Sequence, residues 1–194
     1  MLKTIFLTAL TLAIAVGGGA GSVWLVVERD FEFGTVTIGN WTAYPKRGTP
    51  AADPYSKARF SREADLALGY AEGLVFTATR DASGALLRLE CDYRVEGSLP
   101  PARFWTLSAR NSDGGFIAPD GDRVPALHSY ALMRQPDNTV ATTVSRSPVP
   151  GNWLAVDGSG EFALVLTLYD TAVASSARIA EVELPQVLLE GCDG

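Results

Sequence analysis

The run "LLRLECDYRVE" at residues 86–96 alternates apolar and polar side chains almost without a break. Leu87, Leu89, Cys91, Tyr93 and Val95 fall on one side, and Arg88, Glu90, Asp92, Arg94 and Glu96 on the other. A period of two over that length demands a strand with one face buried and one in water, because a helix repeats its apolar face every three to four residues. Cys91 therefore points inward. The charges on the outer face read as cross-strand ion pairs on a solvated surface rather than as paired catalytic carboxylates.

The rest of the chain supplies partners for that strand. "EGLVFTATR" (72–80) leads into "DASG", where Gly84 provides the positive φ of a tight turn. Leu99-Pro100-Pro101 cannot lie inside a strand, since both prolines lack an N–H donor. Beyond them, Trp105, Leu107 and Ala109 alternate with Phe104, Thr106, Ser108 and Arg110, and residues 111–115 close the segment as a turn. Residues 31–44 read as two short strands around Gly39-Asn40, "TVATTVSRS" (139–147) as a strand, and "EFALVLTLYD" (161–170) as a central one, apolar on both faces. Residues 178–192 supply a final strand or two. Residues 118–139 form a long irregular connection with a single helical turn at 129–133, and 148–160 form a loop. Asp53 followed by Pro54 is a helix start, giving one short helix whose Lys57, Arg59 and Arg62 face Glu63 and Asp65. The expected fold is mainly β: a jelly-roll-like antiparallel β-sandwich (residues 30–194) with one short N-terminal helix, preceded by a single transmembrane helix.

That leading helix comes from residues 4–27, which carry no charge. At 1.5 Å per residue they span about 36 Å, enough to cross a bilayer. A cleaved signal peptide would place its apolar core at residues 5–16 and its cleavage in the small-residue run 17–22. The alternative, which the sequence favours, is an uncleaved anchor over residues 1–29. The apolar run resumes as "VWLVV" before Glu28-Arg29-Asp30, and Trp24 sits where an interfacial aromatic belongs. Lys3 biases the short N-terminal side toward the cytoplasm, which puts the chain in the inner (cytoplasmic) membrane, single-pass, with its C-terminal domain in the periplasm. Ala13, Gly17 and Gly21 recur every four residues, a small-residue stripe along which two helices could pack into a homodimer.

Two cysteines, Cys91 and Cys192, invite a disulfide in an oxidising compartment, with two unrelated thiols as the alternative. The net charge of −6 argues against nucleic acid, which needs clustered Lys and Arg. The one histidine, His128, lies in the irregular connection, and no strand–Gly-x-Ser-x-Gly–helix elbow presents a nucleophile to it. No residue spacing marks a catalytic group, a cofactor or a metal site. Asn40-Trp41-Thr42 matches a glycosylation triplet that matters only in a eukaryotic secretory route.

Taken in order, "DPYSKA", "AEGLVFTATRDASG", "CDYRVEGSLPPARFWTLSARNSDG" and "NWLAVDGSGEFALVLTLYD" resemble the bacterial domain of unknown function 1214, over roughly residues 34–192. That family occurs as the C-terminal module of larger exported proteins that also carry domain of unknown function 1254, and in a shorter form with an N-terminal membrane segment. The resemblance implies a jelly-roll-like sandwich in the bacterial envelope and transfers no catalytic residues. Where the family reads Trp-Ser-Leu-Thr-x-Tyr-Asp, this chain has Trp105 to Asn111, so that Arg110-Asn111 replaces Tyr-Asp.

Two functions follow as expectations. The first is a non-enzymatic, membrane-anchored interaction or envelope-assembly module whose partner is an envelope protein or glycan. The second is a carbohydrate-binding or carbohydrate-active jelly roll that uses Trp41, Trp105 or Trp153 as a stacking platform. Exposure of those indoles beside a carboxylate separates the two.

Overall fold

The computed structural model describes residues 2–28, 34–63, 68–69, 71–117, 125–175 and 179–192. They fall into two compact units, one of residues 1–33 and 47–67, the other of residues 34–46 and 68–194. The first unit holds the two α-helices found among the described residues. α1 (Leu2–Glu28) contains a stretch, Leu2–Leu25, long and apolar enough to cross a membrane, and no part of it is buried in protein. α2 (Pro54–Glu63) starts where the sequence places it. The Asp53 carboxylate accepts the N–H groups of Tyr55 and Ser56, both at 3.0 Å, so two of the four donors left open at a helix start are satisfied.

The second unit is built of two sheets. Strands β1 (Val36–Ile38), β2 (Trp41–Ala43), β3 (Gly73–Ala78), β5 (Phe104–Arg110), β6 (Ala126–His128) and β9 (Ala163–Tyr169) form one, in the order β1-β2-β3-β9-β5-β6, all antiparallel. Strands β4 (Cys91–Gly97), β7 (Val140–Ser145), β8 (Asn152–Ala155) and β10 (Gln186–Cys192) form the other, in the order β10-β4-β7-β8. Inward side chains from both sheets share one core: Trp41, Phe76, Trp105, Leu107, Leu164, Leu166 and Leu168 from the first, Tyr93, Val95, Val144, Leu154 and Val187 from the second.

The alternation at residues 86–96 is realised in burial, with Leu87, Leu89, Cys91, Tyr93 and Val95 all in the core. The chain nevertheless changes sheets within it. Leu87 N–H donates to Thr79 O and Leu87 O accepts from Phe162 N–H, while Arg88 bridges Glu161, all beside the six-stranded sheet. A turn closed by Cys91 N–H to Arg88 O (3.1 Å) then delivers Cys91–Gly97 to the four-stranded sheet.

Three expectations are corrected. The second sheet is mixed rather than antiparallel, because β8, expected as loop, pairs parallel with β7 (Thr143 opposite Trp153, Val144 opposite Leu154). A six-residue return suffices, since six extended residues reach about 20 Å and the chain needs to retreat only about three residues. The expected irregular connection contains β6. The helical turn expected at 129–133 is not formed: Asn152 takes both backbone groups of Met133, accepting its N–H at 2.8 Å and donating to its carbonyl at 2.7 Å. After the 3-10 turns Ala172–Ser175 and Ile179–Glu181, β10 is the last strand among the described residues, within the expected strand or two.

Candidate functional site

The parity that buries Trp105, Leu107 and Ala109 turns Phe104 to the outer face of the six-stranded sheet. Tyr169 stands directly opposite it on β9, and the two ring centres lie 5.6 Å apart. Just beyond β6, Tyr130 places its ring 5.6 Å from Phe104 on another side, and His128 places its own at 6.0 Å. Neighbouring planes are inclined by 34° to 38°, so the three rings pack tilted against Phe104. Tyr130 is 77% exposed, while Phe104, His128 and Tyr169 are half-buried.

A charged pair borders this strip. Arg103 N–H donates to the carbonyls of Tyr169 (3.2 Å) and Asp170 (3.4 Å), which locks the start of β5 to the end of β9. The Arg103 guanidinium then sits 3.5 Å from the Asp170 carboxylate, with both side chains largely in solvent. Asp170 adopts φ of 49°, a left-handed conformation tolerated by Asp more than by most residues, and its N–H donates to Glu72 O at 2.9 Å. An ion pair this exposed contributes about 0–1 kcal/mol, so its donors and acceptors are cheaply diverted to a ligand.

A separate open cleft of about 820 Å³ lies where the β1–β2 turn, the ends of β4 and β7, and residues 182–186 converge. Its deeper wall is apolar, with Trp41, Val140 and Pro185 buried, and its rim carries Asn40, Gln135, Arg94, Glu96 and Glu183. Trp41 donates its indole N–H to Pro185 O at 2.6 Å and thereby ties the hairpin to residues 182–186. Arg94 is held by Glu96 at 2.5 Å and Glu190 at 3.7 Å. The hydrogen bond and charge of Glu96 raise its already high pKa further, so the guanidinium is permanently charged and largely neutralised by its partners.

The structure separates the residues singled out from sequence. Trp41 and Trp105 lie in the core at 1% and 3% exposure, and neither offers a ring to solvent. Trp153 is half-buried on β8 and donates its indole N–H to Ser145 O at 3.0 Å, which fastens the parallel return. The three indoles do not converge. Cys91 and Cys192 are joined in a disulfide, directly opposite each other on β4 and β10. Ala13, Gly17 and Gly21 lie on exposed α1, and a Cβ added at either glycine would meet nothing within 4 Å. Arg110 and Asn111 build a turn: the Asn111 amide oxygen accepts the N–H groups of Asp113 and Gly115, and the Arg110 guanidinium lies 4.1 Å over the Phe116 ring. The outward parity of Phe104 was visible in the sequence. Its three ring neighbours were not, because Tyr169 is brought by strand pairing and Tyr130 by the path of a loop.

The model of the family described as "Protein of unknown function (DUF1214)" matches residues 72–173, more than half of the chain. The chain belongs to the DUF1214 family. The match contains the whole aromatic strip with Arg103 and Asp170, and leaves out the β1–β2 hairpin, β10 and Cys192. No curated protein matches. Among solved structures, the VPA0106 protein from Vibrio parahaemolyticus aligns over 91% of this chain and 43% of its own, at TM-score 0.62 and 15% identity, a likeness of fold. An uncharacterized protein from Burkholderia cenocepacia aligns over 75% of this chain and 44% of its own, at TM-score 0.41 and 19% identity. The DUF1214 chain thus spans less than half the length of these solved relatives.

Proposed function

We propose that this DUF1214 protein is held in the inner membrane by α1, with its β domain in the periplasm, where it serves as a non-enzymatic interaction or envelope-assembly module. The observation that carries this reading is the Cys91–Cys192 disulfide in a chain whose α1 contains the uncharged run 4–27. Such bonds persist in oxidising compartments and are rare in the cytosol. Lys3 on the short side of the helix favours a cytoplasmic N-terminus. The two-sheet unit with one shared core is compatible with a jelly-roll-like arrangement in which β7 and β8 form a parallel insertion.

The test is protease access to the full-length protein in spheroplasts, combined with cross-linking in intact envelopes. The expected result is a membrane-retained chain whose β domain is digested from the periplasmic side and is cross-linked to an envelope component. A β domain protected from protease, or one recovered soluble without α1, overturns the reading.

The second reading, a carbohydrate-binding domain, is favoured by one specific observation: the aromatic strip around Phe104 beside the Arg103–Asp170 pair. It would replace the tryptophan platform expected from the sequence.

A further inference from the structure

We infer that the strip Tyr169–Phe104–Tyr130, with Arg103 and Asp170 at its border, is a binding site for a neutral glycan chain. The assignment names a ligand for the exported module proposed above and rests on that reading.

Three features converge. Aromatic faces receive the apolar C–H face of a sugar ring while leaving its hydroxyls free at the rim. Here the Tyr130 ring, 77% exposed, offers a face to a sugar, and Phe104 packs against it with ring centres 5.6 Å apart, itself backed by Tyr169 at the same distance. The hydroxyls then need donors and acceptors in the plane of the sugar. Arg103 offers a fork of N–H donors and Asp170 two acceptor oxygens, side by side at 3.5 Å. Lastly, the platform is preorganised. Phe104 and Tyr169 are fixed by strand register, and Arg103 N–H is bonded to the carbonyls of Tyr169 and Asp170, so little ordering cost falls on the protein.

The charge selects among ligands that stack. Nucleic acid would bring phosphates to a chain of net charge −6, at a site whose one guanidinium already faces a carboxylate. A proline-rich segment requires an aromatic-lined groove, whereas these rings lie on the outer face of a sheet and Tyr130 stands 77% exposed. A neutral polyhydroxylated chain satisfies both the faces and the ion pair.

The experiment is calorimetric titration of the full-length protein, held in lipid nanodiscs free of sugar headgroups, with cellohexaose and with chitohexaose. At least one is expected to bind. Tyr130→Ala should weaken that binding about tenfold or more, Tyr130→Phe should retain it, and Asp170→Asn should weaken it with no change in near-ultraviolet circular dichroism. The assignment is overturned if neither oligosaccharide binds the folded protein, or if Tyr130→Ala binds like the parent. Tyr130-dependent binding of a proline-rich peptide in place of either sugar overturns it as well. Failure of these titrations leaves the periplasmic location untouched, while a cytoplasmic β domain would overturn the module reading and leave the titration result standing.

Discussion

The phenolic oxygen of Tyr93 accepts the backbone N–H of Arg88 at 2.8 Å, across the point where the chain leaves the six-stranded sheet for the four-stranded one. Arg88 forms an isolated bridge with Glu161 at the edge of the six-stranded sheet, and the side chain five residues later takes its N–H. Tyr93 itself is 1% exposed and packs edge-on against Phe162 with ring centres 5.9 Å apart. Burial raises its phenol pKa, so the neutral form prevails at every physiological pH. Tyr93→Phe keeps the packing and strands the N–H, and should cost about 1–2 kcal/mol. Urea denaturation with an unchanged m-value checks this, and an unaltered midpoint would show that the corner does not depend on the bond.

Across the same strand, the disulfide ties the C-terminal β10 to β4 over a sequence separation of 101. Closing so long a loop restricts the unfolded chain, a contribution of about 4–5 kcal/mol on the chain-entropy account. Cys91 is buried while Cys192 is exposed, so a small reductant reaches the bond from the Cys192 side. Cys192→Ser should lower the urea midpoint to that of the reduced parent, and dithiothreitol should then have no further effect on the variant.

Much of this architecture could be read locally. Side-chain parity identified the inward face from Leu87 to Val95 and that of Trp105 to Ala109, because a period of two depends only on neighbours along one strand. The sheet change inside 86–96 was invisible for the same reason: the turn at Leu89–Glu90 leaves inward parity intact. β8 was hidden by Pro148, Pro150 and Gly151, which read as loop, while its pairing comes from β7 and the Trp153 indole. The tryptophans were the obvious aromatics, yet two of them fill the core. The outer-face cluster is assembled from Phe104, Tyr130 and Tyr169, which are far apart in sequence, and no local pattern could bring those together.

At Gly73 the backbone of β9 leaves no room for a side chain. A Cβ built there would lie 2.1 Å from Leu168 O, a backbone atom that cannot swing aside. Gly84, in the "DASG" turn at φ of 89°, has open space around its missing Cβ. Gly73→Ala should therefore prevent soluble folding or cost well over about 3 kcal/mol, whereas Gly84→Ala carries only the left-handed backbone penalty of about 1–2 kcal/mol. Comparable midpoints for the two variants would contradict the close approach.

Asp81 organises that same turn from a position 3% exposed. Its carboxylate accepts the Ser83 N–H (2.8 Å), the Ser83 hydroxyl (2.6 Å) and the Ala85 N–H (3.1 Å), and Ala82 N–H fastens the turn to Val187 O on β10. Burial pushes the Asp81 pKa up, but the Ser83 hydroxyl and the turn's backbone N–H groups together outweigh it and hold the carboxyl below its ordinary 3.8. A folded-state pKa depressed below the unfolded one gives stability that is fully present above the unfolded value and is lost as pH falls through the folded value. Asp81→Asn keeps one acceptor oxygen but not the charge. It should be less stable than the parent at pH 7 by about 1 kcal/mol or more, and the gap should close as the pH falls below the ordinary carboxylate range. Urea midpoints measured from pH 7 down to pH 2.5 would show the two curves converging; a gap that stays constant would mean that the carboxylate charge contributes nothing to the turn.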